Sequence, residues 1–404
     1  MGSAIAGMRG SGDWDVPDHR PKSWLETAFK LFPQGNAKLV YFLSKLGRRA
    51  VRDHEYNIFE DRLPDMAFTV AAQVAANATT ITIDAPATNL AKMLKAGDML
   101  KVEAIGSTAE VVYVVANPVS PWTSINVIRY WNSTNTGGTI AEDAVLRWVG
   151  SAYGAGTRAP LAVSRNPDKV TNYLQTFKET AKVTRHALHY ETRPFKNLKT
   201  REKYLALERY VNKAEFALMM GEGVDTVDAE GNQLSTTKGI TQLVTTNVTD
   251  FTSSGVDLDS LEDALETQFM YGSEEKLFIC GNRALTIANR VVARNTLGMW
   301  ALEKVPKQEA YGLSLKRWYT PHGVLVLVPH KLLTQSALYK KWGFIMDPKY
   351  MEMAYLNGMY TKWYPNTELP DESAWKGYFE GVLGLSLALE ETHGIFQGMD
   401  AYTP

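Results

Sequence analysis

The sequence predicts an α+β fold built from several regions, and three features carry that expectation. Short β-rich runs separated by turn residues fill residues 66–150. One long amphipathic helix covers residues 198–220. Beyond it, helices alternate with short strands as far as a run of strictly alternating leucines near the C-terminus.

Residues 1–24 are rich in Gly, Pro and charge and read as a flexible arm. Two helical stretches follow within residues 23–64. The first runs from Ser23 to Leu31 and stops at Phe32-Pro33. The second starts near Asn36 and continues through Leu39, Phe42, Leu43, Leu46 and Val51. This segment is too thin to hold a core of its own, so it must pack on the rest of the chain or on a neighbouring subunit. Within residues 66–150 the strand-like runs are Thr79–Ile83, Met99–Ala104, Glu110–Val115, Ser124–Trp131 and Val145–Val149. Gly97-Asp98, Gly106-Ser107, Asn117-Pro118 and Gly137-Gly138 break them. Strands at this spacing predict a small barrel or sandwich. Residues 151–197 open with Gly154-Ala155-Gly156 and read as extended.

The long helix places Tyr204, Leu207, Val211, Ala214 and Leu218 on one apolar face. Lys199, Arg201, Glu202, Lys203, Glu208, Arg209, Lys213 and Glu215 fill the rest as solvated charge, and Gly221 and Gly223 end it. Residues 222–255 are a Gly/Asp/Thr-rich connector with little periodicity. A helix with Leu258, Leu261, Leu265 and Phe269 on one face closes at Gly272. Strand Lys276–Cys280, a helix from Arg283 to Arg294 and strand Gly323–Val328 follow. Two late runs, Met351–Met359 and 375–393, read as strands. In the second, Leu383, Leu385, Leu387 and Leu389 alternate with Gly384, Ser386, Ala388 and Glu390, which predicts one buried face. Such a run is able to pair with strands made much earlier in the chain.

The totals bound the function. A chain of 404 residues supports two or three domains. Its 45% hydrophobic and 22% charged content is ordinary globular chemistry. The net charge of −1 lacks the basic excess of a protein that grips phosphates. A single cysteine, Cys280, excludes an intrachain disulfide and fits a reducing cytoplasm. It lies in the apolar run Lys276–Cys280 and reads as a packed thiol rather than a nucleophile. The sequence has neither a membrane-length apolar run nor an N-terminal signal pattern, so a soluble, unexported protein with no membrane partner is expected.

Catalytic patterns are missing: the phosphate loop, the dinucleotide fingerprint, the zinc helix and the nucleophile elbow. His186, His189 and Glu191 have a faintly metal-like spacing, but on an extended segment the two imidazoles fall on opposite faces. Asp225, Asp228 and Glu230 before Gly231-Asn232 miss the calcium-loop spacing and read as a solvated turn. Arg48, Arg49 and Arg52 face DNA, an acidic neighbour or simply water. Ten Trp and nineteen Tyr suit an interface as well as a core. No catalytic, cofactor-binding or metal-binding residue is assigned.

The order of parts resembles the capsid fold of tailed bacteriophages, first described in the Hong Kong-type phage. Arm, β excursion, long helix, α/β domain and returning strands follow one another as they do in that family. Lys95–Val102, Glu110–Val115 and Ile125–Arg129 resemble strands of the branch that carries a small β-barrel in its extended loop. Thr171–Lys178 resembles the strand leaving that loop, Lys199–Met220 the spine helix, and Thr237–Ile240 the way into the axial domain. The resemblance implies an N-terminal arm (1–65), an extended loop (66–180) with its inserted β domain at about 76–150, and a peripheral domain with the spine helix (181–225). An axial domain (226–345) and a return to the peripheral domain (346–404) complete it.

By the same resemblance the chain is a major capsid protein, assembled in the host cytoplasm into hexamers and pentamers of an icosahedral virion shell around double-stranded DNA. The start lacks a long charged helical extension that would scaffold assembly, so a separate scaffolding protein is expected beside a portal, with a decoration protein left open. No cofactor is implied, and no residue pair for a covalent cross-link is carried over. Candidate inter-subunit contacts are Trp24, Phe29 and Phe42 in the arm and Val111, Val112 and Tyr113 in the loop strands, with intrachain core as the competing assignment for each. Three other readings stay open: an encapsulin-like compartment shell, another virion component such as a portal, and an enzyme with scattered carboxylates. A portal needs a long helical stem, and one long helix is present here.

Overall fold

The computed structural model describes residues 38–61, 67–84, 91–103, 110–131, 138–164, 166–190, 197–294, 301–303, 309–310, 313–314 and 316–403. The stretch Ser23–Leu31 lies outside them. The chain forms two compact units, Phe59–Asp168 and the remainder on either side of it.

The smaller unit is a closed barrel. Its strands run in the order Ala67–Thr69, Val145–Ser151, Asp98–Glu103, Val111–Val114, Ser124–Ile128, Thr80–Thr82. The end strands then meet: Val70 bridges Ile83, Ala71 N–H donates to Thr82 O (3.0 Å) and Asp84 N–H to Thr69 O (3.0 Å). Closure leaves the sheet without an open edge, so a barrel forms and not a sandwich. Alternation points Leu100, Val102, Val112, Val114, Ile125, Val127 and Leu146 inward to fill it.

The larger unit contains two main sheets. The first has the order Arg48–Val51, Met351–Leu356, Ala374–Leu387, Gln175–Thr184, with Lys362–Tyr364 also paired to Ala374–Leu387. The second has the order Val248–Asp250, Gly394–Gln397, Gly343–Met346, Glu275–Cys280, Val324–Pro329, Lys316–Tyr319, Ala301–Glu303. Helices Leu258–Phe269 and Asn282–Arg294 share an apolar layer with this second sheet, through Leu261, Leu265, Ala284 and Ile287. The other face of the sheet, through Leu277, Ile279, Val326 and Val328, joins the core that also holds the long helix.

That helix spans Leu198–Met220, starts at an Asn197 side chain that accepts the Thr200 N–H, and ends at Gly221. Its buried stripe is Ala206, Tyr210, Ala214 and Leu218. Tyr204, expected on that stripe, is 55% exposed, while Leu207 and Val211 flank the contact. The large apolar residues mark one face, but close approach to the strands is set by the small ones. Ala206 and Ala214 bracket Tyr210, whose ring lies 6.3 Å from Phe177 and 6.2 Å from Phe379. Gly381 leaves room for its hydroxyl, since a Cβ there would come within 2.3 Å of it. Glu179 then clamps the helix to its strand by accepting from Arg209 Nε (2.6 Å) and Lys213 Nζ (2.5 Å).

Three further expectations change. The first described helix is Lys38–Leu46 and does not reach Val51. After Gly47, Arg48–Val51 leaves helical form to pair in parallel with Met353–Leu356. The run at 375–393 is a strand only over Ala374–Leu387, and its residues 381–387 are buried on both faces. Its second face is covered by Tyr56, Leu174 and Ala354 around Val382. Leu389 lies beyond the strand, with φ +54°. The connector 222–255 holds a hairpin (Val224–Val227 with Gln233–Thr236), a short helix (Ile240–Leu243) and the edge strand Val248–Asp250. The strand pairing anticipated for the late run is present: Ala374–Leu387 pairs with Gln175–Thr184 over ten residues.

The long helix ends where the chain turns toward the second sheet, and there two backbones touch. Gly239 N–H donates to Gly221 O (2.8 Å), and a Cβ on Gly239 would sit 2.5 Å from Gly221 N. Neither backbone is able to retreat without breaking that bond. Gly239→Ala is therefore expected to lower unfolding free energy by about 1–3 kcal/mol, the usual range for forced overpacking. Urea denaturation measures it, and an unchanged midpoint would refute the tight contact.

Candidate assembly surfaces and the joints that present them

A carboxylate organises the larger unit from inside. Glu215, expected among the solvated charges of the long helix, has no exposed surface. Its Oε1 accepts the Leu39 N–H (2.7 Å) and its Oε2 the Val40 N–H (2.7 Å). These amides open the helix Lys38–Leu46 and have no partner within it. A helix N-terminus carries positive partial charge, so a carboxylate there meets donors and a favourable dipole together. His330 Nε2 lies 2.6 Å from Glu215 Oε1, and His330 Nδ1 accepts the Leu333 N–H (3.3 Å). The ring is thus the neutral tautomer with its hydrogen on Nε2, donated to Glu215. Lys38 Nζ donates to Pro329 O (2.6 Å) beside it.

A second joint is built on Asn172, nearly fully buried. Its Oδ1 accepts the Lys238 N–H (2.8 Å) and its Nδ2 donates to Leu385 O (2.8 Å). Tyr56 Oη also donates to Leu385 O (2.6 Å), and Leu385 N–H reaches Thr237 Oγ1 (3.4 Å). Residues 172, 237–238 and 385, far apart in sequence, are so held at one point.

The exposed surface is of another character. In the smaller unit, residues 152–164 have no regular hydrogen bonding and are exposed almost throughout, including Leu161 (70%) and Val163 (40%). On the outer wall of the barrel, Met99, Tyr113 and Ile128 form one cross-strand row. Trp131 stacks on Tyr113 with centroids 4.2 Å apart.

The residues singled out in the sequence separate accordingly. Trp24 and Phe29 lie outside the described residues. Phe42 and Val112 have no exposed surface and fill the chain's own cores, so the structure reassigns both from contact to core. Val111 and Tyr113 are half-buried on the barrel wall. His186 and His189 sit on a short helix, Arg185–His189, not on an extended segment, and both are exposed; Glu191 lies outside the described residues. Among the described residues no three His, Cys, Asp or Glu side chains converge as for a metal ion, and no helix is long and apolar enough to cross a membrane. Asp228 shapes the hairpin turn by accepting the N–H groups of Glu230 (2.9 Å) and Asn232 (2.8 Å), with Gly231 at φ +81°. Arg48 lies over the Tyr360 ring at 4.6 Å. Cys280 is buried against the apolar layer, and burial pushes its thiol up to about 12.

Glu215→Ala strands His330 and two helix amides and is expected to destabilise the unassembled chain by about 1–3 kcal/mol for each buried donor left unsatisfied. Glu215→Gln, which keeps an acceptor oxygen, is expected to cost less. Phe42→Ala should cost about 3–5 kcal/mol in the same denaturation assay. A Phe42 that served only as a contact between subunits would leave that stability unchanged.

A family model described as SU10 major capsid protein matches residues 28–400. A curated relative, the major capsid protein of Pseudomonas phage PaMx41, is 22% identical over 359 residues, covering 84% of this chain and 80% of that protein. Among solved structures, the chain is similar to the capsid of an empty GTA particle, with 9% identity, a TM-score of 0.49, and coverage of 97% of this chain and 99% of that one. It is also similar to a structure from Mycobacterium phage Cain (9% identity, TM-score 0.43, 94% of this chain and 92% of that one). A third similarity is to the SrpI encapsulin complex of Synechococcus elongatus (11% identity, TM-score 0.42, 59% of this chain and 79% of that one). The family match takes in the first described helix, the barrel, the long helix and both sheets. The chain belongs to the SU10 major capsid protein family.

Proposed function

We propose that this chain, a structural protein that builds a phage shell by associating with its own copies, does so as hexamers and pentamers of an icosahedral capsid enclosing double-stranded DNA. The observation that carries the reading is the family match over residues 28–400. It is also what favours a phage capsid over an encapsulin-like compartment. In this reading residues 1–65 are the arm, 66–180 the extended loop, 181–225 the peripheral domain, 226–345 the axial domain and 346–404 the return. Val111 and Tyr113 on the barrel wall, together with the exposed tract 152–164, are the contacts we assign to neighbouring subunits. Each contact is small, and the shell multiplies it by symmetry. The net charge of −1 suits a shell that surrounds DNA without reading its sequence. A separate scaffolding protein and a portal are the further partners in this reading, which leaves a decoration protein open, and assembly takes place in the host cytoplasm.

Negative-stain electron microscopy of the purified protein, with light scattering for mass, tests the reading. Closed shells, tubes or capsomer rings are expected. A uniform monomer that stays unassembled with scaffold or a crowding agent would refute it.

A further inference from the structure

Lys276, Asp347 and His393 have no exposed surface, and the assembly contacts assigned above use none of them. Asp347 and His393 lie where the chain crosses between the two sheets of the larger unit, and Lys276 reaches one of these crossings from strand Glu275–Cys280. One crossing, residues 347–350, leads from Gly343–Met346 to Met351–Leu356. The other, residues 388–393, leads from Ala374–Leu387 to Gly394–Gln397. The crossings are tied side by side: Asp347 N–H donates to His393 Nδ1 (3.1 Å) and Ala388 N–H to Tyr350 O (3.0 Å). The Asp347 carboxylate accepts the Ser273 N–H (2.7 Å) and hydroxyl (3.1 Å). Lys276 Nζ donates to the carbonyls of Gln268, Tyr271 (2.8 Å) and Thr392 (2.8 Å).

The bond from Asp347 requires His393 Nδ1 to be unprotonated, which leaves the ring neutral with its hydrogen on Nε2. That nitrogen is buried with no hydrogen-bond partner among the described residues. The bond from Asp347 exists only in the neutral form, while the Ala388 backbone favours the proton. A proton on Nδ1 would set an N–H against the Asp347 N–H and a second cation beside Lys276. The groups around the ring decide how strongly this is resisted. Asp347 and the Ala388 backbone favour the proton, and Lys276 opposes it. Helix Leu258–Phe269 contributes neutral Gln268, and the neighbouring loop contributes neutral Asn247, whose Nδ2 donates to His393 O (3.2 Å). Glu390, on the same turn, is turned away to the hydroxyls of Thr245 (3.0 Å) and Thr246 (2.7 Å), and Glu391 meets Asn247 through its carbonyl. Burial, with Lys276, outweighs Asp347 and the Ala388 backbone and holds the ring down to about 4. The folded value lies below the ordinary 6.5, so the contribution of the neutral ring is complete above that pH and is lost as pH falls toward 4.

We infer that His393 is a latch between the two crossings: neutral, it holds residues 347–350 against 388–393, and protonated, it lets them part while both sheets stay folded. The test is amide hydrogen exchange on the full chain at pH 7 and pH ~4.5, corrected for intrinsic rates, in the wild type and in His393→Asn, whose side-chain oxygen accepts the same bond without titrating. In the wild type the Asp347 and Ala388 amides should lose protection roughly tenfold at the lower pH, while Glu275–Cys280 and Val324–Pro329 keep theirs. In His393→Asn the Asp347 and Ala388 amides should not respond to pH. Unchanged protection in the wild type, an equal loss in the variant, or a uniform loss across both sheets would each overturn the latch. Should the variant not fold, the wild type alone decides: the His393 imidazole shift must titrate along the same curve as the Asp347 amide, and separate curves overturn the inference.

Discussion

The larger unit is organised around a charge that has no access to water. A buried carboxylate is tolerated only when its lone pairs are satisfied and its charge is met. Glu215 meets that demand with groups 176 and 115 residues away, the Leu39 amide and the His330 ring. The same contact supplies the opening amides of the helix Lys38–Leu46, which on their own would be orphaned. Fixing that helix turns Leu39, Phe42 and Leu43 into the core occupied by Leu218 and Met219 of the long helix. Each of the three segments thus removes a cost from the other two, and losing any one exposes the rest to it.

A related rule governs the longest strand. Ala374–Leu387 outruns its partner, whose pairing stops at Gln175 opposite Leu383. Beyond that point the Leu385 backbone is satisfied by the side chains of Asn172, Tyr56 and Thr237. Buried backbone groups must find partners somewhere, and here side chains finish what the sheet leaves open. The barrel needs less of this because it closes on itself. Its buried ion pair, Arg129 with Glu110, also ties Arg129 to the carbonyls of Ala75 (2.7 Å) and Gly138 (2.8 Å).

Much of this was legible where a local pattern decides the structure. The barrel strands follow from alternation between turn residues, and Leu258–Phe269 and Glu275–Cys280 follow from spacing and apolar content. Glu215 was not legible, because its spacing on the helix is that of a solvated charge and its burial is decided by residues 38–40 and 330. The long helix misled in the same way: bulk suggested Tyr204, whereas contact needed Ala206 and Ala214. Phe42 and Val112 suit an interface and a core alike as residue types, and it is packing by residues distant in the chain that makes both core. Residues 152–164, exposed along nearly their whole length, carry no periodicity to read.

The division of labour between the two kinds of contact bears on shell building. An apolar layer rewards burial but is nearly indifferent to direction. A hydrogen bond weakens steeply when its angle or length is wrong, and most of all when its groups are buried. In the larger unit the apolar residues fill the layers, while the buried side chains of Glu215, Asn172, Lys276 and Asp347 bond segments far apart in the chain to one another. Stability therefore comes chiefly from the layers, and the angle between them from the polar joints. A closed shell repeats one subunit many times and accumulates any error in its geometry. Directional joints inside the subunit limit that error, because they fix how its layers stand to one another.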